Sequence, residues 1–421
     1  MKPYIEWTKE ELVAEKARLE QEFAEVKAKG LNLNISRGKP AAAQLDLTEG
    51  MLTVLSKNED TFAEDGTDCR NYGVLTGIPE ARKLIGDICE VPAENVIVYG
   101  NASLTIMFDT VARSFLKGVA GCTPWNKLDK VKFLCPVPGY DRHFGVTEYF
   151  GVEMINVPMT PEGPDMDMVE KLVAEDDAIK GIWCVPKYSN PQGYTYSDET
   201  VKRFANLKPA AKDFRIFWDN AYIIHHLYDD RQDHLLNIIE ECEKAGNPDM
   251  VYEFVSTSKV SYPGAGIAAL ISSEANLKEA QEYMNFQIIG HDKLNQLRHV
   301  KFFQNLDGVM NQMKKHAEIL RPKFEAILQV MDQELSAWHR FLDKTERWIL
   351  HLLRCDGGMR KEDRCKGKRG RSYHDRRGRN VSISQRSAGF QHPYCTVLPD
   401  TGRAGNRRSG IRAECQTGQR G

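Results

Sequence analysis

The segment YEFVSTSK, residues 252–259, begins as an apolar run and ends in small hydroxylated residues and a lysine. Five further segments contain a similar continuous apolar run: NVIVYG (95–100), KFLCPVPGY (132–140), GIWCVP (181–186), RIFWDNAY (215–222) and GIAALISS (266–273). Such runs are typical of strands that are buried on both faces of a sheet. Helical stretches separate them, at 103–117, 166–180, 197–208 and 232–245. The sequence therefore predicts an α/β domain with a mainly parallel sheet.

The regions on either side of this domain are predicted to be helical. Near the start, Thr8 and Glu11 have the spacing of a capping box, and Gly30 suits the end of the same helix. After the last apolar run, the stretch 293–335 has helical character. We therefore expect a long first helix and a second long helical segment that leads away from the sheet.

Length and composition exclude several classes of protein. The 421 residues are 41% hydrophobic with a formal net charge of −2, which suits roughly two or three domains with a buried core. No apolar run approaches the ~20 residues that span a bilayer, and the first residues lack the apolar stretch of a signal peptide. Ten cysteines without regular spacing do not make a disulfide scaffold. We expect a protein of the reducing cytoplasm with no membrane partner.

The residues most suited to chemistry lie where the predicted strands end. They occupy the loops 100–103, 138–140, 189–191, 219–222 and 256–259. Ligands of such sheets bind beyond the carboxyl ends of the strands. Each loop alone also has a structural explanation, such as a helix cap, a turn, a packed ring or a solvated lysine. Their shared position at strand ends favours a binding site.

Seven segments in this order resemble a known family. They are SRGKP (36–40), NYGVLTGIPEAR (71–82), YGNASL (99–104), CPVPGYDRHFG (135–145), SNPQG (189–193), DNAY (219–222) and STSKVSYPGAG (256–266). Together they resemble the class I/II aspartate aminotransferase-like enzymes, in particular a divergent bacterial branch. The resemblance covers about residues 30–335. It implies fold type I, with helices on both faces of a mainly parallel sheet, and the cofactor pyridoxal 5'-phosphate (PLP).

The resemblance implies a catalytic role for each of four residues and a cofactor-binding role for Tyr140. Lys259 would hold PLP as a Schiff base and shuttle a proton, and we expect its pKa to be lowered by burial near cations. Asp219 would pair with the pyridine nitrogen and keep it protonated. Asn190 and Tyr222 would hydrogen-bond the phenolic oxygen of PLP, and Tyr140 would stack on its ring.

The resemblance also implies a phosphate site and a dimer. The residues that would bind the phosphate are Asn101, Ala102, Ser103, Ser256 and Ser258. The first three would use backbone N–H groups at a helix N-terminus, where the helix dipole attracts anions. Tyr72 would reach the phosphate of a neighbouring subunit, which implies a homodimer with shared sites. Many relatives place a phosphate-binding Arg soon after the lysine, whereas here the chain reads Gly264-Ala265-Gly266-Ile267. The divergent branch resembles this pattern.

The final part of the chain differs in composition from the rest. Residues 1–336 carry 37 Lys and Arg against 51 Asp and Glu, whereas residues 337–421 carry 20 against 8. Sixteen of those 20 cations are Arg. The sequence therefore changes character near Ser336.

One interpretation makes this tail an arm that binds nucleic acid. Its Arg-rich stretch 366–379 would neutralise phosphates without needing a fold. The tail residues that invite a zinc interpretation are Cys355, Cys365, His374, His392, Cys395 and Cys415. No pair of these cysteines has C-x-x-C spacing, so we expect no metal site.

A shifted reading frame is the interpretation that the sequence favours. Residues 345–352, TERWILHL, can be encoded so that reading one base later yields Pro-Lys-Gly-Gly-Tyr-Phe-Ile-Ser, which resembles a small-domain strand of the family. The Arg that grips the substrate α-carboxylate in the family is then missing, because its codon would straddle Pro393 and Tyr394. We expect the tail to be poorly ordered and to lack the strands of a small domain.

These inferences define the expected organisation and activity. The expected segments are a small-domain helix and arm at 1–50, a PLP-binding domain at 51–292, a connecting helix at 293–336 and the tail at 337–421. We expect amino transfer from a dicarboxylic amino acid, L-aspartate, to 2-oxoglutarate, impaired by the altered tail. The alternatives are another fold-type I enzyme, such as an alanine aminotransferase or a C–S lyase, or an inactive PLP-binding relic with a nucleic-acid-binding tail.

Overall fold

The central feature of the computed structural model is an eight-stranded sheet. The structure describes residues 7–32, 39–335, 351–354 and 394–397. The strands of this sheet are β1 (Val96–Val98), β2 (Lys132–Val137), β3 (Glu153–Thr160), β4 (Gly163–Pro164), β5 (Ile179–Cys184), β6 (Arg215–Asp219), β7 (Val251–Ser256) and β8 (Ala268–Ile271). Their order across the sheet is β1-β8-β7-β6-β5-β2-β3-β4. The crossovers between non-neighbouring strands make this an α/β arrangement.

The middle of the sheet is parallel and its edges are antiparallel. Strands β7, β6, β5, β2 and β3 run in parallel, whereas β8 pairs antiparallel with both β7 and β1. The short β4 closes the other edge against β3. This topology confirms the predicted mainly parallel sheet.

Helices surround the sheet. They are α1 (Lys9–Ala28), α2 (Ala42–Asp46), α3 (Pro79–Cys89), α4 (Ser103–Lys117), α5 (Asp141–Tyr149), α6 (Met166–Glu175), α7 (Asp198–Ala205), α8 (Ile238–Lys244), α9 (Glu274–Gln287), α10 (Lys293–Phe303) and α11 (Leu306–Leu335). Two clusters of buried apolar side chains pack between these helices and the sheet. In β6, for example, Ile216 and Trp218 join one cluster and Phe217 joins the other. Successive side chains of a strand point to opposite faces, so β6 is covered on both sides.

All six predicted strands are present, and α4 has the predicted bounds. The structure adds β3, whose burial is uneven because it lies near the edge of the sheet. It also divides the predicted 293–335 stretch into α10 and α11. The break follows Phe303, where Gln304 adopts a positive φ of 65° and ends α10.

The first helix begins at the predicted capping box of Thr8 and Glu11, and both of its hydrogen bonds are present. No residue of α1 is buried, and Phe23 and Val26 are about half exposed. Among the described residues, α1 therefore has no apolar surface to cover it. None of the helices in the described ranges is long and apolar enough to cross a membrane.

Two short strands lie in the tail. β9 (His351–Arg354) and β10 (Tyr394–Val397) pair antiparallel. They correct the expectation that residues 337–421 contain no strand, since the aromatic and β-branched residues of YCTV suit a strand locally. The zinc candidates Cys355, Cys365, His374, His392 and Cys415 lie outside the described residues, as does Pro393.

Candidate active site

The carboxyl ends of the parallel strands form one edge of the sheet. Strand β6 ends at Asp219 and β7 at Ser256, and the two strands are adjacent. Strands β5 and β2 end beside them, before the loops that carry Asn190 and Tyr140. The parallel register therefore gathers loops that are distant in the chain.

Asp219 is buried at this edge and is held by a histidine. One of its carboxylate oxygens, Oδ2, lies 2.9 Å from Nε2 of His143, and both side chains are at most 5% exposed. The His143 ring stacks on Trp183, with 4.7 Å between ring centroids. The other oxygen, Oδ1, has no hydrogen-bond partner among the described residues. A buried carboxylate oxygen without a partner is costly, so the site is suited to a ligand that donates a hydrogen there.

Lys259 lies at the same edge, in the turn that follows β7. Its Nζ atom lies 4.3 Å from the centroid of the Tyr222 ring, which is 5% exposed. Tyr140 and Asp219 are also close enough to affect its charge. The structure thus brings Lys259, Tyr222, Tyr140 and Asp219 together, as the sequence analysis predicts for the cofactor site.

The charge state of Lys259 differs from the expectation. Burial lowers its pKa, but the neighbouring Tyr222, Asp219 and Tyr140 together outweigh burial, and the net pKa is raised. The prediction that the pKa of Lys259 is lowered is therefore wrong when only the groups of the protein surround it. Its physical reason is that the neighbours are a carboxylate and two phenols, which favour the ammonium form, rather than cations.

Asn190 and Tyr140 line one shallow pocket with Ser189, His143 and Trp183. Tyr140 precedes the first turn of α5 and His143 lies within that turn, so the two rings meet edge to face at 5.1 Å. The backbone before Tyr140 can fold back on the end of β2 because residue 139 is glycine. A Cβ atom there would lie 2.4 Å from the Pro136 carbonyl oxygen.

The predicted phosphate ligands also converge. Oγ of Ser258 donates to the carbonyl oxygen of Asn101 at 3.2 Å, and Oγ of Ser256 donates to Oγ of Ser258 at 3.1 Å. Ala102 is the N-cap of α4 and Ser103 its first residue, and no side chain caps this helix. The geometry therefore combines a helix N-terminus with two hydroxyl groups.

Tyr72 lies elsewhere. Its side chain is 82% exposed and lines a cleft of about 450 Å³ with Arg70, Asn71 and residues 290–294. No described contact joins Tyr72 to the Lys259 site. Its prediction as a phosphate ligand therefore requires a neighbouring subunit.

Two further basic residues are candidates to face substrate. Arg37 lies outside the described residues. Lys187 is 7% exposed, and its Nζ donates to the carbonyl oxygen of Ile223 at 2.8 Å. Burial lowers the pKa of Lys187 to about 8, against the opposing effect of Asp233 and Glu90. This bond to a backbone carbonyl favours a structural role for Lys187.

Three histidines near the site had no role in the sequence analysis. They are His143, His299 and His316, each at most 1% exposed. The partner of His143 is 76 residues away in the chain, and His299 bonds residues about 40 positions before it. Only the spacing of Tyr140 and His143, three residues apart at the start of a helix, is a local signal that the two share a face.

We expect stability to fall as the pH drops from about 6.5 to about 4, partly because of His299. Burial lowers the pKa of His299 to about 4; the Asn295 carbonyl and Asp292 oppose this effect, and Arg298 adds to it. Between the two pKa values the unfolded chain binds the proton and the folded chain does not, so acid favours unfolding. At about 1.4 kcal/mol per pH unit, the effect is at most roughly 3 to 4 kcal/mol.

Chemical unfolding at several pH values would measure this slope. His299→Gln should flatten it, whereas His234→Gln, at an exposed histidine, should leave it unchanged. An identical slope in wild type and His299→Gln would contradict the assignment.

Comparison with known proteins finds similarity over the region of the chain that contains this site. The model of the aspartate amino-transferase family matches residues 7–347. A putative aminotransferase of Mycolicibacterium smegmatis is 44% identical over 330 residues, covering 78% of this chain and 77% of the relative. An aspartate aminotransferase of Corynebacterium glutamicum is 43% identical over 321 residues, covering 76% and 74%.

Solved structures resemble the chain over most of its length. The crystal structure of an aspartate transaminase from Corynebacterium glutamicum superposes with a TM-score of 0.86 and 37% identity, covering 93% of this chain and 92% of the other. A putative aminotransferase from Corynebacterium diphtheriae has a TM-score of 0.84 and 39% identity, covering 91% and 93%. Sequence and fold therefore point to the same group of proteins.

Proposed function

Because this chain belongs to the aspartate amino-transferase family, whose members are PLP-dependent transaminases, we propose that it moves the amino group of L-aspartate to 2-oxoglutarate. The Corynebacterium glutamicum relative that is 43% identical over 74% of its length is an aspartate aminotransferase. The observation that carries the proposal is the position of Lys259 and Asp219 at the carboxyl edge of adjacent strands. The expected products are oxaloacetate and glutamate.

The residues present fit PLP. Oδ1 of Asp219 is buried without a partner among the described residues, so it is free to accept from a protonated ring nitrogen. The N-terminus of α4 and the hydroxyls of Ser256 and Ser258 suit a phosphate. Tyr140 has an aromatic face for the ring, and Asn190 shares its pocket.

Lys259 would perform both the covalent and the proton-transfer work. When bound, PLP supplies an electron sink for the electrons of the substrate Cα–H bond. Nζ of Lys259 would attach the cofactor, be displaced by the substrate amine and then move the proton at Cα. The raised pKa of Lys259 means that this amine must lose its proton before it acts.

Asp219 would hold a proton on the ring nitrogen. A carboxylate in a dry site stabilises a cationic partner strongly. His143 fixes the carboxylate through Oδ2 at 2.9 Å, and the stack on Trp183 fixes the plane of His143. His143 would therefore orient Asp219 without touching the substrate.

We also propose a homodimer, located in the reducing cytoplasm. The six cysteines between residues 39 and 335 are free thiols, and the exposed Tyr72 lines a cleft open for a second copy to cover. We expect a dimer in sedimentation experiments, and Tyr72→Phe should weaken PLP binding by about tenfold, the value of one hydrogen bond to a charged group. A monomer with full PLP affinity would contradict this proposal.

The shifted frame of the tail remains a proposal, with two supports. The family match ends at residue 347, close to the change in composition near Ser336. The apolar residues of α1, which we assign to the small domain, are not buried by any described residue. A small domain built in the other frame would supply that missing surface.

We expect the purified chain to bind PLP yet transaminate poorly. A single-base correction of the coding DNA near codon 336, which restores the α-carboxylate Arg, should raise kcat/KM for aspartate by roughly 100-fold or more, as a lost bidentate charge pair and its alignment of the substrate would predict. Steady-state rates and PLP content of the two proteins would test this.

The controls separate the alternatives. Equal PLP content in both proteins would locate the difference in substrate binding, and normal activity of the uncorrected chain would contradict the proposal. Alanine and cysteine, assayed for pyruvate, would identify an alanine aminotransferase or a C–S lyase instead.

A further inference from the structure

Residues 257–261, which carry Lys259, form a single helical turn with two distinct faces. The backbone N–H groups of Val260 and Ser261 both donate to the carbonyl oxygen of Thr257, at 2.9 and 2.8 Å. Residues four apart lie on the same face of such a turn, and the residue midway lies on the opposite face. Thr257 and Ser261 therefore share the buried face, at 4% and 1% exposure, while Lys259 points the other way.

His299, in α10, holds the buried face. Its Nε2 lies 2.8 Å from Oγ of Ser261 and 3.1 Å from Oγ1 of Thr257. Its Nδ1 lies 2.8 Å from the carbonyl oxygen of Asn295, which can only accept. In the neutral ring Nδ1 therefore carries the hydrogen, and Nε2 accepts from the hydroxyls of the turn.

His316, in α11, holds the backbone of the same turn. Its Nε2 lies 3.0 Å from the carbonyl oxygen of Val260 and donates to it. Its Nδ1 then accepts from Nε2 of Gln44 at 3.3 Å. Two helices thus anchor the turn, one through side chains and one through a carbonyl.

The segment after the turn adds a further hydrogen bond to the hydroxyl of Thr257. Oγ1 of Thr257 accepts from the backbone N–H of Ile267 at 2.9 Å. A Cβ atom at Gly266 would lie only 3.0 Å from that oxygen. Gly266, within the stretch that lacks the Arg of many relatives, therefore allows the chain to pack directly against the lysine turn.

We propose that His299 and His316 are positioning residues, which fix the turn of residues 257–261 so that Nζ of Lys259 stays over Tyr222 and meets the cofactor. This rests on the proposed function of Lys259. Neither histidine touches the reacting atoms. The geometry assigns them a role specific to the lysine, because their described hydrogen bonds reach Thr257, Ser261 and Val260 and not the hydroxyls of Ser256 and Ser258 that are suited to the phosphate.

The comparison of two cofactor forms tests this role. Nζ of Lys259 would form a carbon–nitrogen double bond with the aldehyde carbon of PLP, with loss of one water. Pyridoxamine phosphate carries an amine in place of the aldehyde and cannot form this bond, but it uses the same ring and phosphate contacts. A misplaced Nζ should therefore weaken PLP binding alone.

We expect Ser261→Ala, Thr257→Val and His299→Phe in the full chain to weaken PLP binding by about tenfold, the value of one buried hydrogen bond, with pyridoxamine phosphate affinity within about twofold of wild type. Thr257→Ser keeps the hydroxyl and should restore PLP affinity. Ser114→Ala removes a buried hydroxyl in α4 that donates to the Thr110 carbonyl oxygen at 2.8 Å and should change neither affinity. Fluorescence titration measures both.

Each other outcome overturns the proposal. Equal losses for both cofactor forms would mean that the histidines support the pocket in general, and no loss would mean that the turn does not depend on them. If wild type bound neither form, the proposed function itself would fail. If wild type bound both cofactor forms and the variants changed the two affinities equally, only the positioning role would fail.

Discussion

Lys259→Ala is expected to abolish covalent attachment of PLP and to reduce amino transfer by a factor on the order of 10⁴ or more, because one amine serves as both nucleophile and proton carrier. Its Nζ is the amine that the structure places over Tyr222 and near Asp219. Borohydride reduction of the PLP-loaded chain, followed by peptide mass analysis, should find the cofactor on residue 259. The half-reaction with aspartate, followed by visible absorbance, measures the loss of rate.

Two variants make this result specific. Lys259→Arg keeps a cation over the Tyr222 ring but has no amine to act as a nucleophile. Its loss of activity should therefore equal that of Lys259→Ala. Lys187 is the competing candidate, since it is buried and its pKa is lowered to about 8. Lys187→Met should retain the covalent label, and a label that maps to Lys187 in wild type would refute the assignment of Lys259.

Asp219→Asn is expected to slow the half-reaction by roughly 10²–10³-fold, in the range seen when one preorganised electrostatic group is removed. The amide keeps the shape of the side chain and its contact with His143, but it has no charge to hold a proton on the ring nitrogen. PLP content should fall far less than the rate, because the lysine and the phosphate site remain.

Asp213→Asn is a matched control for this variant. Asp213 is another buried carboxylate of the sheet domain, but it pairs with Lys180 at 2.7 Å and accepts from Trp125, away from the site. Removing its charge should lower stability, since it leaves a buried lysine unpaired, and should leave the rate per folded molecule unchanged. Equal rate losses in the two variants would show that Asp219 acts through the fold alone.

The sequence predicted the middle of the sheet well because its strands are buried on both faces. Within β6 the three residues Ile216, Phe217 and Trp218 are all apolar, and side chains packed on the two faces of the sheet bury them. Strand β3 escaped prediction because it lies near the edge, where only one of its residues is fully buried and the others are partly or fully exposed. The same buried runs allowed the positions of Asp219 and Lys259 to be predicted, since both residues follow the apolar part of a strand.

What the sequence could not predict depends on contacts across the fold. The raised pKa of Lys259 reflects which groups surround it, and those groups come from two loops that are distant in the sequence. His299 and His316 lie on helices whose apolar pattern gives no sign of a polar role. Their function depends on hydrogen bonds with residues about 40 and 56 positions away.

Every described group that surrounds the lysine precedes the change in composition, and the latest of them, His316, lies in the first half of α11. Polypeptides leave the ribosome with the N-terminal part first, and domains fold largely as units during synthesis. The vitamin-binding portion is therefore made before the Arg-rich segment is translated. A single-base lesion at that point would leave the cell with a protein that sequesters vitamin B6 and turns over little substrate.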